Sequence, residues 1–157
     1  MIDDGPDLRT ALQIAKILGL EPLPDEGGLY RQTFADGVST AIYFLLVGDD
    51  FSALHKLTGP ETYHFYSGSP LRLLLIDDAT GEVREPVLGL DLSGGERPQL
   101  TVPGGVWQGS SSAGAWTLIG TTMAPPFSSD DFALGDRAEL TRRFPAGAAR
   151  IAELSRT

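Results

Sequence analysis

Between residues 29 and 123 the chain is a succession of short β-prone runs, each closed by a cluster of Gly, Pro, Asp or Ser. The runs read as strands are Leu29–Phe34, Ser39–Val47, Ser52–Leu57, Thr62–Tyr66, Leu71–Asp77, Val83–Leu88, Gln99–Val102, Val106–Ser110 and Trp116–Met123. Breakers such as Gly48-Asp49-Asp50, Thr58-Gly59-Pro60 and Pro103-Gly104-Gly105 separate them. Many short strands at regular spacing fold as a sandwich or barrel, not as a parallel α/β sheet. Asp78-Ala79-Thr80-Gly81 sits between two strong runs and reads as a hairpin turn.

Helices flank this β region. Leu8, Ala11, Leu12, Ala15 and Leu18 fall at helical spacing, with Pro6 in the first turn and Gly19 just past the end. Near the C-terminus Leu140 and Phe144 pair at helical spacing, Pro145 breaks that helix, and Ile151 and Leu154 extend an apolar face. These helices are expected outside the barrel, or against a second subunit. With 157 residues and no internal repeat or linker, one domain over residues 1–157 is expected.

Charge and composition restrict the partners. The net charge of −9 repels phosphate backbones and anionic membranes, so neither nucleic acid nor membrane is expected as a partner. There is no cysteine, which removes disulfides and thiolate metal sites. The acidic start Met1-Ile2-Asp3-Asp4 lacks the features of a secretory leader, and the longest apolar run, Ala41 to Val47, is too short to span a bilayer. A cytoplasmic protein is the expectation.

Both histidines lie in the middle of the β region, in His55-Lys56-Leu57-Thr58-Gly59-Pro60-Glu61-Thr62-Tyr63-His64. Strand alternation puts His55 and Leu57 on one face, and Glu61, Tyr63 and Phe65 together on one face of the next strand. His64 alternates away and is read as structural. Arg31, on the first strand, could clamp a carboxylate or phosphate of a ligand, or form a salt bridge to one of the many acids. Trp107 points opposite to Gln108 and is read as packing. Pro103-Gly104-Gly105 is a turn and not a phosphate loop, because no helix is expected after it. No arrangement for acyl transfer stands out.

This segment resembles the first motif of the cupin superfamily: His-x-His, three or four residues, Glu, six residues, Gly. His55, Glu61 and Gly68 match, while Leu57 stands at the second His position. In the second cupin motif Pro103 and Gly105 match, but Gln108 replaces the His and Ser112 the Asn. Further segments are similar to a small, largely uncharacterised cupin family. They are Pro24-Asp25-Glu26-Gly27-Gly28-Leu29-Tyr30-Arg31, Ser39-Thr40-Ala41-Ile42-Tyr43-Phe44-Leu45-Leu46, Val102-Pro103-Gly104-Gly105-Val106-Trp107-Gln108 and Pro125-Pro126-Phe127 before Asp130-Asp131-Phe132. The resemblance implies an all-β double-stranded β-helix, the cupin jelly roll also found in dTDP-sugar epimerases, and a homodimer. It brings no established reaction with it.

On this reading the barrel holds a pocket for a small polar metabolite, a sugar derivative or a small acid. The candidate catalytic residues are His55, Glu61 and Tyr63, working as acid–base groups in an isomerase- or epimerase-like reaction. Tyr30, Arg31, Thr33, Thr40 and Gln108 are the candidate ligand contacts. A non-catalytic binding module is the alternative. No cofactor is expected. A divalent metal held by His55, Glu61 and Gln108 is the weaker reading, because Leu57 supplies no donor and an amide oxygen is a poor ligand beside imidazole.

Overall fold

The computed structural model describes residues 4–157; residues 1–3, the acidic start read above, lie outside the described residues. Helix α1 (Asp4–Leu18) leads into twelve strands: β1 (Glu21–Pro22), β2 (Leu29–Ala35), β3 (Thr40–Val47), β4 (Phe51–Lys56), β5 (Glu61–Gly68), β6 (Leu71–Asp77), β7 (Val83–Arg84), β8 (Val87–Leu88), β9 (Gln99–Val102), β10 (Val106–Ser112), β11 (Trp116–Met123) and β12 (Ala133–Leu134). Helices α2 (Arg137–Arg143) and α3 (Ala148–Glu153) close the chain.

The strands form two antiparallel sheets. One has the order β1-β2-β3-β11-β5-β9 and the other β12-β4-β10-β6-β7, with β8 also on β6. Nearest neighbours are therefore mostly non-consecutive, as a jelly roll requires. This is the expected all-β barrel with flanking helices.

The run Leu71–Ile76 shows how sequence sets the layers. Leu71, Leu73 and Leu75 join Phe44, Leu46 and Ile119 in the core between the sheets. Leu74 and Ile76 point the other way and pack with Trp107, Leu140, Phe144 and Ile151 beneath the C-terminal helices. A strand covered on both faces has no polar side to show, so it reads as a continuous apolar run. The C-terminal helices thus lie on the barrel wall. Trp107 packs there too, and its indole N–H donates to Asp78 Oδ1 at 2.8 Å.

Two local readings shift and a third holds. In α1 the buried side is built on Ala11, while Leu8 and Leu12 are exposed. The helix packs mainly on β3 and β11, with Ala11 inward and Leu8 and Leu12 left at the surface. Val83–Leu88 is two short strands because Pro86 lacks the N–H a ladder needs. The turn after β6 is a hairpin, as expected: Asp77 Oδ1 accepts from the N–H groups of Ala79 and Thr80, and Gly81 takes φ +76°.

Candidate functional site

A cavity of about 300 Å³ opens between the two sheets. Strand β4 brings His55 and the segment after it brings Leu57, β5 brings Glu61, and β11 brings Thr121 and Met123. Tyr30 and Gln32 enter from β2 and Thr40 from β3. Two loops complete the mouth. One carries Asp25 and Glu26; the other carries Phe127 and Phe132. Thr40 Oγ1 accepts the Phe127 N–H at 2.9 Å and ties the second loop to the barrel.

His55 is 3% exposed. Its Nδ1 lies 2.7 Å from the Ala53 carbonyl oxygen, which can only accept, so Nδ1 carries the proton and Nε2 is left as an acceptor. Nε2 stands 3.7 Å from Glu26 Oε1, beyond hydrogen-bond length. The imidazole also stacks on Phe132, with ring centroids 5.2 Å apart and planes 18° from parallel. The ring is therefore held from two sides.

Glu61 is buried, and burial pushes its carboxyl up to about 7, with the nearby Glu26 carboxylate adding to the rise. His55 and hydrogen bonds from Thr121 and Gln108 work in the opposite direction. Behind Glu61 runs a relay. The Tyr63 hydroxyl donates to Gln108 Oε1, and the Gln108 amide N–H faces Glu61. Burial, together with the Glu61 and Glu26 carboxylates, holds the Tyr63 hydroxyl well above its ordinary value, so it stays a donor.

The candidate residues thus separate into layers. His55, Glu61, Tyr30 and Thr40 line the cavity. Tyr63 and Gln108 stand behind it and reach it through Glu61. Arg31 and Thr33 alternate to the other side of β2. The Arg31 guanidinium donates to the Leu18 carbonyl at the end of α1, and the Thr33 hydroxyl to the Ala41 carbonyl. His64 donates to or accepts from Thr122 Oγ1 on the outer face.

The metal-donor set read from sequence does not assemble. Gln108 turns its oxygen to Tyr63 and its N–H to Glu61, and Leu57 walls the cavity without a donor. Among the described residues no group of three His, Cys, Asp or Glu side chains is placed to hold a metal ion.

Glu26 is the residue that sequence reasoning passed over. Its carbonyl accepts from the Ala53 N–H at 2.8 Å and from Arg156 Nη1 at 2.6 Å, and its Oε2 accepts from the Ser52 hydroxyl at 2.8 Å. The two glycines after it take φ of +99° and +77°. A Cβ on Gly27 would lie 2.3 Å from the Phe51 carbonyl oxygen, so only glycine lets the loop fold this tightly against β4. The signal in the sequence was Glu26-Gly27-Gly28 itself, a loop that needs two residues without side chains.

An antiparallel jelly roll with a buried imidazole and carboxylate at the floor of its cavity defines a cupin-type barrel. The chain belongs to the Cupin superfamily (DUF985), whose model matches residues 12–135. It is similar to a solved protein of Shewanella oneidensis, at 35% identity over 92% of this chain and 96% of that one, with a TM-score of 0.86. A hypothetical protein from Leishmania major is similar at 28% identity, 92% and 98% coverage, and a TM-score of 0.85. A dTDP sugar isomerase from Desulfovibrio desulfuricans shares the fold at 18% identity, with 88% and 92% coverage and a TM-score of 0.59. No match is found among curated proteins.

Proposed function

We propose that the cavity binds a small polar metabolite and that His55 and Glu61 move a proton on it, as a metal-independent isomerase or epimerase does. The observation that carries this reading is the pairing on one cavity floor of an imidazole with a free Nε2 and a buried carboxyl raised to about 7. The first can take a proton, and near neutral pH a sizeable fraction of the second can give one.

The step this pair suits is enolisation. His55 Nε2 takes a proton from the carbon beside a carbonyl, and Glu61 gives its proton to the carbonyl oxygen as the C=C bond forms. The His55 imidazolium then returns its proton to the neighbouring carbon while the Glu61 carboxylate takes the proton of the hydroxyl on the first carbon, which completes the isomerisation of an α-hydroxy carbonyl. Glu26 stabilises the imidazolium formed in between, since its Oε1 is 3.7 Å from Nε2. Tyr63 acts as a positioning residue, holding Gln108 so that its N–H stays on Glu61. Pairing of two copies belongs to the same proposal; the exposed Leu12 and Ile17 of α1 and Val38 of the β2–β3 turn support it.

The test is exchange in D2O, followed by NMR, with pyruvate, dihydroxyacetone and aminoacetone as probes. Deuterium should enter the carbon next to the carbonyl of at least one probe faster than without protein, and His55→Ala should abolish the gain. Exchange at the uncatalysed rate with all three would sink the proton-transfer reading.

A further inference from the structure

The cavity is sorted by charge. The carboxyl groups of Asp25, Glu26 and Glu61 line it, Glu61 pushed up to about 7 by burial, beside the single imidazole of His55. Among the described residues no Lys or Arg lines it. The basic side chains nearby are engaged elsewhere: Arg31 on the Leu18 carbonyl, Lys56 on Asp78 at 3.3 Å, and Arg156 on Asp50 and the backbone of the Glu26 and Phe51 segments.

Two acceptors stand together at the cavity floor. His55 is more than nine-tenths buried, and its Nε2 faces the cavity with Glu26 Oε1 beyond hydrogen-bond reach. Because Nδ1 holds the proton, Nε2 can only accept. Glu26 has one oxygen on Ser52 and one unbonded. Glu26 Oε1 and His55 Nε2 are therefore neighbouring acceptors without a hydrogen-bond donor. Around them stand Leu23, Ile42, Met123 and the rings of Phe127 and Tyr30, a surface for an apolar body and for cation–π contact.

From the acceptor pair of Glu26 Oε1 and His55 Nε2 in a cavity lined by carboxyl groups and, among the described residues, by no Lys or Arg, we infer that the ligand is a small organic cation, an ammonium on a compact and partly apolar body. This rests on the reading of the cavity as the ligand site, and it narrows that reading: small acids and sugar phosphates meet the Asp25 and Glu26 carboxylates here with no Lys or Arg among the described lining residues to offset them. An ammonium seated on Glu26 Oε1 places its neighbouring C–H next to Nε2, which is the geometry proton abstraction requires.

Three probes of one shape and different charge decide it: benzylamine, benzyl alcohol and benzoate, titrated into 15N-labelled protein near neutral pH. Benzylamine should bind about tenfold more tightly than benzyl alcohol, a difference of about 1.4 kcal/mol. Benzoate should cause no saturable shift. Glu26→Gln, which keeps an acceptor for Ser52, should bring benzylamine down to the affinity of benzyl alcohol and leave the alcohol unchanged. Benzoate binding as tightly as benzylamine, binding by none of the three, or an equal loss for amine and alcohol in Glu26→Gln would each overturn the inference. Benzylamine binding without deuterium exchange in any carbonyl probe would remove the proton-transfer reading and keep this one; exchange into pyruvate with benzoate preferred would do the reverse.

Discussion

Glu26 Oε1 stands 3.7 Å from His55 Nε2, joining a loop ahead of the first long strand to the middle of the barrel. The loop is held there by Ala53 from β4 and by Arg156 from the last residues of the chain. The acid partner of the histidine is thus set by contacts far apart in sequence, and those contacts can be broken one at a time.

Gly27→Ala should loosen that loop. The substitution places a methyl group where a backbone oxygen already lies, at a φ that side chains avoid. A stability loss of about 1–3 kcal/mol is expected by urea denaturation. The amide resonances that shift most should be those of residues 25–28 and 52–55.

Glu61 makes stability depend on pH. Its carboxyl titrates at about 7 when folded and near 4.5 when unfolded, so the folded state binds the proton more tightly. Stability from this group is therefore greatest below about pH 4.5, falls as pH rises towards 7, and levels off above. The change is on the order of 3 kcal/mol. Urea midpoints across this range should fall more steeply for the wild type than for Glu61→Gln, which has no proton to lose.

Tyr63→Phe leaves Gln108 Oε1 buried without its donor. A loss of about 1–3 kcal/mol is expected from the unsatisfied oxygen. Freed from Tyr63, Gln108 can turn away from Glu61, which should move the Glu61 titration upward, since that hydrogen bond favours the ionised form. Carbonyl 13C shifts of Glu61 against pH would read it.

Ile151→Ala tests the outer layer. Ile151 is fully buried with Leu54, Leu74 and Trp107. Removing it should cost about 2–5 kcal/mol in chemical denaturation, while the cavity, on the opposite face of β4, keeps its probe affinities.

The parts of this architecture that were legible in the sequence are those governed by alternation. Leu71–Asp77 read as a strand, and period two placed His55 with Leu57 on one face and Glu61 with Tyr63 on one face of the next strand. Arg31 and Thr33 show where that rule needs the partner strand. The register between β2 and β3 shifts between Gln32 and Phe34, and Tyr30 and Gln32 take the inward positions. Glu26 and Phe132 were not legible because no periodicity governs a loop; their places come from hydrogen bonds and ring stacking to β4. The turning of Gln108 towards Tyr63 was not legible, because it is set by the packed core.

The central claim is that His55 presents an unprotonated Nε2 to the cavity. It is tested most directly by long-range 1H–15N correlation of the imidazole nitrogens at about pH 8, with His64→Gln assigning the second ring. The account expects Nδ1 to be the protonated nitrogen and Nε2 to show the shift of a bare acceptor. A protonated Nε2 with a bare Nδ1 would contradict it, leaving the histidine unable to take a proton from anything bound in the cavity.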